Sequence, residues 1–174
     1  MSDAAALLAA ARQRLEDAGT PREALGRWRT PGRILHRAPR IERVGSAWRL
    51  GALLLPGDDG RSAEPGAHPA VVLAVGDVVR AEPEVRRGYA AESARERAAR
   101  RAAAARGGFR PGEVVHVGWQ PIDLDAVAAG EASGPLRLSD GRPMIRWSAA
   151  GALMPLDAYL RERVALLLDP PERA

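Results

Sequence analysis

Apolar residues recur at helical spacing near both ends of the chain. Between Asp3 and Ala18 they form one face and Gly19 ends the pattern, so we expect a helix there; the face consists of Leu7, Leu8, Ala11, Leu15 and Ala18. Between Pro155 and Leu168 the pattern predicts an amphipathic helix with a face of Leu156, Tyr159, Leu160, Val164 and Leu167. Thr20-Pro21-Arg22-Glu23 has the form of a capping box and predicts a second short helix, so residues 1–29 form an N-terminal helical segment.

Shorter apolar stretches predict strands. Near-alternate spacing indicates one or two short strands around Ile34-Leu35, Ile41 and Val44. Well-buried strands are expected at Trp48–Leu55 and Ala70–Val79, and a further strand at Glu113–Trp119. Residues 56–69 are rich in glycine and proline and predict a flexible loop within a hairpin-like connection.

Local turn and cap signals organise the last third of the chain. Asp140-Gly141 lies between Leu136–Ser139 and Arg142–Trp147 and predicts a tight hairpin. Asp123 is placed to cap a turn of helix within Pro121–Gly130. The order of elements predicts one α+β domain over residues 1–174, with a mainly antiparallel sheet and helices packed on it.

A long helix rich in alanine and arginine is expected within Arg86–Arg110. Small residues recur at spacings of three and four and predict one packed stripe along it, made of Ala91, Ala94, Ala98, Ala102, Ala105 and Phe109. The arginines fall around this stripe. The helix is therefore expected to pack on the sheet with a solvated rim, and an anion-binding surface is the alternative.

Charge is unevenly distributed between segments. Arg22–Arg49 and Arg86–Arg110 each hold eight arginines and two glutamates, so together they carry a formal +12 and the rest of the chain −8. If the two segments fold side by side, they create a positive face. The expected anion-binding residues are Arg27, Arg29, Arg33, Arg37, Arg40, Arg97 and Arg101.

Missing residue types exclude several chemistries. The sequence has no cysteine, which excludes disulfides, thiolate nucleophiles and zinc-finger or iron–sulfur sites. Every basic side chain besides histidine is arginine, and without lysine there is no pyridoxal-phosphate Schiff base, Ser-x-x-Lys pair or P-loop. No cofactor or metal is expected. Apolar runs are too short for a membrane span and the start does not resemble a secretory signal, so a cytoplasmic protein is expected.

A few residues remain as candidates for a pocket. Trp119 and Trp147 end strands expected to be neighbours, and they could line a pocket with His116, Gln120 and Arg146; core packing is the alternative. His36 lies among arginines and His68 in the expected loop. The pair Asp123 and Asp125 could hold a metal, although a helix cap explains it more simply.

Several motifs resemble those of a family of small uncharacterised actinobacterial proteins. They are Gly88–Arg95, Arg106-Gly-Gly-Phe109, Gly112-Glu113, Gly118–Asp125 and Arg146-Trp-Ser148. Some members carry the label glutaminase, so the resemblance implies an amide hydrolase. It assigns no catalytic residue, because the chain has neither the Ser-x-x-Lys of serine-dependent glutaminases nor the cysteine of the amidotransferase type.

Three hypotheses follow from these patterns. We prefer a non-enzymatic domain that binds a partner protein or an anionic ligand through an arginine-rich face. The second is the amide hydrolase. The third is a nucleic-acid-binding module at Arg27–Arg43, where Trp28 lies between two arginines; the simpler explanation of that segment is a basic edge strand.

Overall fold

A computed structural model of the protein describes residues 3–30, 38–57, 72–84, 92–148 and 150–170. Four helices lie within these ranges: α1 (Asp3–Asp17), α2 (Glu92–Arg106), α3 (Leu124–Ala128) and α4 (Leu156–Leu168). The strands are β1 (Glu23–Arg29), β2 (Arg40–Leu50), β3 (Leu53–Pro56), β4 (Leu73–Ala74), β5 (Asp77–Arg80), β6 (Val114–Val117), β7 (Gln120–Pro121), β8 (Leu136–Ser139), β9 (Arg142–Arg146) and β10 (Leu153–Pro155). The fold is α+β with mostly antiparallel pairing, as predicted.

Seven strands form a curled sheet in the order β5-β6-β1-β2-β3-β4-β7. The pairs are antiparallel except β1 with β6, which is parallel. β4 continues into β5 through Val75 and Gly76, and β6 continues into β7 through Gly118 and Trp119, with unchanged register between the two pairs. These four short strands are therefore two bent strands, one made of β4 and β5 and the other of β6 and β7. The two bent strands pair with each other, so the pair β5-β6 at one end of the strand order continues into the pair β4-β7 at the other end. Gly76 is required at the bend, because a Cβ there would lie 2.4 Å from the Val117 carbonyl oxygen.

A second sheet of three strands, β10-β9-β8, contains the predicted hairpin. Asp140 and Gly141 both have positive φ, 51° and 73°, which is the conformation of a type I′ turn and confirms the expected tight turn. Asp123 also caps α3 as predicted, with its side chain accepting from the N–H groups of Asp125 and Ala126.

The largest apolar cluster lies between α1, α4, the small sheet and one face of β2 and β3. From the helices it buries Leu8 and Leu15 of α1 and Tyr159 and Leu160 of α4. Both terminal helices are thus confirmed, and Leu167 is partly buried, but Ala18 lies beyond the end of α1 and is exposed, so its predicted place on the buried face is wrong. A smaller cluster, which includes Leu25 and Leu54, is formed by residues of the curled sheet. No helix in the described ranges is both long and apolar enough to cross a membrane.

The predicted second helix is wrong. The residues after Thr20 form β1, which pairs with β2 on one side and with β6 on the other. The capping-box pattern is a local signal, and here it is outweighed by pairing on both edges of the strand. Pairing with β2 shifts register between Leu25 and Gly26, so the strand is also bulged there.

Two of the predicted strands are interrupted. Trp48–Leu55 is divided by a turn at Gly51 and Ala52 into the end of β2 and the whole of β3. The stretch Ala70–Val79 is described from Val72 onward and is bent at Val75 and Gly76. The predicted loop at residues 56–69 begins with Pro56, which ends β3, and Gly57; residues 58–69 lie outside the described residues, as do Ile34, Leu35 and both His36 and His68.

Helix α2 is described over Glu92–Arg106, and its fully buried residues lie near its end. Its buried residues are Ala102, Ala103 and Ala104, which lie against β2 and β5, and Phe109 is buried just beyond the helix. Ala98 is exposed and Ala91 lies outside the described residues. The predicted stripe is therefore wrong at Ala98, whereas Ala94 and Ala105 are partly buried and Ala102 and Phe109 are buried as predicted.

Candidate anion-binding surface

The two arginine-rich segments meet where the end of α2 lies against the start of β2. Gly107 makes this approach feasible, since a Cβ at that residue would lie 1.6 Å from the Ile41 carbonyl oxygen. Arg106, the last residue of α2, donates from Nε and Nη2 to the carbonyl oxygen of Pro39 at 3.1 and 2.9 Å. The end of the helix is thereby fixed against the segment leading into β2.

Arg43 of β2 joins the same region from the sheet side. Its guanidinium carbon lies 4.6 Å from the centre of the Phe109 ring, and it hydrogen-bonds the carboxylate of Glu113. The second carboxylate oxygen of Glu113 accepts from the backbone N–H of Arg110 at 2.9 Å. Partial burial alone would raise the pKa of Glu113, but these two hydrogen bonds outweigh it and lower the pKa below its usual value.

We call Arg43, Arg106 and Arg110 the arginine surface. Arg43 and Arg110 line a cavity of about 740 Å³ together with Gly108, Pro111 and Glu113. Two arginines at the edge of one cavity can bind a carboxylate or phosphate by paired N–H donors, which a planar guanidinium presents in a fixed geometry.

Carboxylates neutralise only part of this surface. Glu113 pairs with Arg43, and Glu84 lies 3.4 Å from Arg106 with three quarters of its side chain exposed. Among the residues that the structure describes, no carboxylate side chain forms an ion pair with the Arg110 guanidinium. The three arginines and two glutamates therefore leave a net positive charge beside the cavity.

The expected anion-binding residues divide between several environments. Arg40 and Arg29 both bind Glu42, at 2.5 and 2.9 Å, which lowers the pKa of that carboxyl. Arg101 pairs with Glu82 at 2.9 Å, and Arg27 lies over the Trp119 ring, 5.4 Å from its centre. The remaining members of the set are Arg97, which is exposed on α2, and Arg33 and Arg37, which lie outside the described residues.

Sequence reasoning selected the two segments but missed the arginines that meet. All three arginines of the arginine surface lie within the basic segments, yet none is among the expected binding residues. The available signal was Gly107-Gly108, because a glycine pair at the end of a helix allows the chain to approach another element closely.

The expected pocket residues lie on different sheets. His116, Trp119 and Gln120 belong to the curled sheet, whereas Arg146 and Trp147 lie at the end of β9 in the small sheet. The strands that the two tryptophans follow are therefore not neighbours. Trp119 is partly buried and donates from Nε1 to the carbonyl oxygen of Gly26 at 3.2 Å, while Trp147 is 49% exposed.

His116 is paired with a carboxylate that the sequence did not indicate. Its ring is fully buried, and Nε2 lies 2.5 Å from Oε2 of Glu23, whose side chain is 39% exposed. No described residue hydrogen-bonds the other ring nitrogen, Nδ1. Since a carboxylate accepts, the ring donates from Nε2 to Glu23.

Comparison with protein-family models, with curated proteins and with solved structures finds no match for this chain.

Proposed function

We propose that the protein is a binding domain that takes an anionic partner at the arginine surface. The observation that carries this proposal is the meeting of the two basic segments, with Arg43 and Arg110 at one cavity and Arg106 bonded to the segment that leads into β2. Segregated positive charge of this kind attracts an anionic partner and orients it during encounter.

The existing ion pairs leave the surface able to bind. The contact of Arg106 with Glu84 is long and exposed, and exposed pairs of this kind contribute at most about 1 kcal/mol. An incoming phosphate or carboxylate can therefore replace Glu84 at little cost. Arg43 is held in place by Phe109 and Glu113, so its guanidinium keeps a fixed orientation for a ligand.

The amide hydrolase implied by the family resemblance has less support from the geometry. The described histidine, His116, is fully buried and hydrogen-bonded to Glu23, so its ring does not reach solvent where a substrate would bind. Ammonia release from glutamine that is lost in His116→Ala would support the hydrolase, and absence of turnover at high enzyme concentration would remove it.

Charge reversal at Arg110 tests the binding proposal. We expect the protein to bind a fluorescein-labelled polyanion, either an acidic peptide or an oligothymidylate of about 15 units, with affinity that falls as salt rises. Arg110→Glu should weaken this binding about tenfold or more, as expected for the loss of one charged contact. Fluorescence anisotropy measures both effects.

The matched control is Arg137→Glu, which makes the same charge change at an exposed position of β8 on the small sheet. We expect it to alter affinity by less than about twofold. Failure of both polyanions to bind at low salt, or an equal loss in the two variants, would overturn the proposal.

A further inference from the structure

Trp28 is an exposed aromatic side chain in β1, the strand that pairs with β2 and therefore lies beside Arg43 of the arginine surface. It is 40% exposed, whereas Trp48 is 2% exposed and donates from Nε1 to the Thr20 carbonyl oxygen. An indole this exposed has its apolar face in contact with water.

The register of β1 and β2 places Trp28 on the same face as the arginine surface. Trp28 is directly opposite Ile41, and two residues earlier Gly26 is opposite Arg43. Directly opposed residues in an antiparallel pair point to the same side of the sheet. Gly26 has no side chain, and a Cβ there would lie 2.4 Å from Ile41 Cγ2, so the Ile41 side chain fills the space over Gly26.

Helix α2 brings its own arginine to this face. Gly107 lies against the carbonyl of Ile41, the residue opposite Trp28. Arg106 binds the carbonyl of Pro39, two residues before Ile41. Trp28 is therefore paired with the buried Ile41, Arg43 follows Ile41 by two residues on β2, and Arg106 is bonded to the segment just before it. A strand rises about 3.4 Å per residue, so the positions of Trp28 and Gly26 along β1 are about 7 Å apart.

We propose that the anionic partner is a single-stranded nucleic acid, with Trp28 stacking on a base while the arginine surface binds the neighbouring phosphates. This inference rests on the proposed function. Single strands expose the flat faces of their bases, and proteins bind them with aromatic side chains beside a positively charged groove. In a duplex the bases are already stacked, and an acidic peptide offers carboxylates but no ring for the tryptophan.

Substitution of Trp28 distinguishes this partner from other polyanions. The probes are a fluorescein-labelled oligothymidylate of about 15 nucleotides, a duplex of the same length and an acidic peptide of about 15 residues. We expect the oligothymidylate to bind most tightly. Trp28→Ala should weaken its binding by at least about fivefold, the smallest effect typical of a lost base stack, and should leave peptide binding unchanged.

Two further variants separate stacking from general damage. Trp28→Phe keeps an aromatic face and should retain most of the affinity for the oligothymidylate. Trp147→Ala removes a tryptophan of similar exposure from the small sheet and should have no effect. The thermal unfolding midpoint of each variant shows that it is folded at the assay temperature.

The outcomes separate the two proposals. If Arg110→Glu weakens binding but Trp28→Ala does not, the nucleic-acid proposal is wrong while anion binding stands. The same conclusion follows if the acidic peptide binds as tightly as the oligothymidylate and loses as much affinity in Trp28→Ala. The second of these results identifies Trp28 as part of a protein-binding surface. If Arg110→Glu has no effect on any probe, the arginine surface itself is not the binding site.

Discussion

The Nε2 atom of His116 lies 2.5 Å from the Oε2 atom of Glu23, and this contact joins β6 to the first residue of β1. The hydrogen bond from His116 lowers the pKa of Glu23 below its ordinary value of 4.5. Partial burial opposes that shift, while the positive charges of Arg49 and Arg80 add to it. The pair is therefore a link between adjacent parallel strands that depends on an ionised carboxylate.

This link should make stability depend on pH in the acid range. A carboxyl whose pKa is lowered by folding stabilises the folded state above the pKa of the unfolded chain, and the stabilisation is lost as pH falls through the folded-state pKa. We expect the free energy of unfolding to drop below pH 4.5 and Glu23→Gln to reduce that drop. Urea denaturation at neutral and acid pH measures both.

Glu131→Gln is the control for this experiment, because Glu131 is an exposed glutamate in the turn after α3. It should reproduce the acid-induced loss of the unsubstituted protein. A loss of the same size in Glu23→Gln as in the unsubstituted protein would show that the contact with His116 does not govern acid stability.

Tyr159 should be important for the attachment of α4. Its hydroxyl accepts from the Ala52 N–H and donates to the Leu50 carbonyl oxygen, both at 2.7 Å, so the helix is bonded to the turn between β2 and β3. Tyr159→Phe keeps the ring but leaves buried backbone groups without a partner, which costs about 1–3 kcal/mol. Urea denaturation should show this loss, whereas Leu166→Ala, at an exposed position of the same helix, should change stability by less than about 0.5 kcal/mol. A loss in Tyr159→Phe no larger than in Leu166→Ala would contradict this role for the hydroxyl.

Gly107 should tolerate substitution less well than Gly108. Gly107→Ala places a methyl group against the Ile41 carbonyl and must move α2 away from β2, a strain of about 1–3 kcal/mol or more. At Gly108 the space is open, but φ is +87°, so Gly108→Ala costs about 1 kcal/mol of backbone strain. Thermal denaturation should rank the two variants in that order.

Anion binding gives a second readout of the Gly107 prediction. Displacement of α2 separates Arg106 from Pro39, so Gly107→Ala should also weaken polyanion binding, and Gly108→Ala should weaken it less. Equal stability and equal affinity in the two variants would show that the end of α2 can move without losing stability or polyanion affinity.

The Asp123 side chain should stabilise α3 measurably. It accepts from the N–H groups of Asp125 and Ala126 at 3.0 and 2.9 Å. Asp123→Ala should lower the free energy of unfolding by about 1 kcal/mol, the usual cost of losing such a cap. Asp125→Ala keeps the cap and should have a smaller effect in the same urea titration; the reverse order would contradict the assignment.

Features of the fold that depend on neighbouring residues could be predicted from the sequence. The cap at Asp123, the turn at Asp140-Gly141 and the faces of α1 and α4 each follow from a short stretch of chain, and all are present. The predicted second helix failed because β1 is determined by its pairing with β2 and, 91 residues away, with β6. No local pattern around Thr20 contains that information.

The candidate site was predictable only at the level of segments. Charge counts indicated two basic stretches, and the structure brings them together where Gly107 at the end of α2 lies against β2. Which arginines meet depends on where α2 ends against the sheet. Two of the carboxylate pairings also depend on tertiary structure, since Glu42 binds Arg29 of the neighbouring strand and Glu113 binds Arg43, 70 residues earlier in the chain.

The parallel pairing of β1 with β6 has a consequence for how the chain folds. During synthesis β1, β2 and β3 can pair as soon as they emerge, but the free edge of β1 stays uncovered until β6 has been made, about ninety residues later. Contacts between such distant parts of a chain slow folding and leave strand edges open to other molecules in the meantime. The growing polypeptide is therefore most prone to self-association in the interval before Val115 and His116 reach their places beside Ala24 and Leu25.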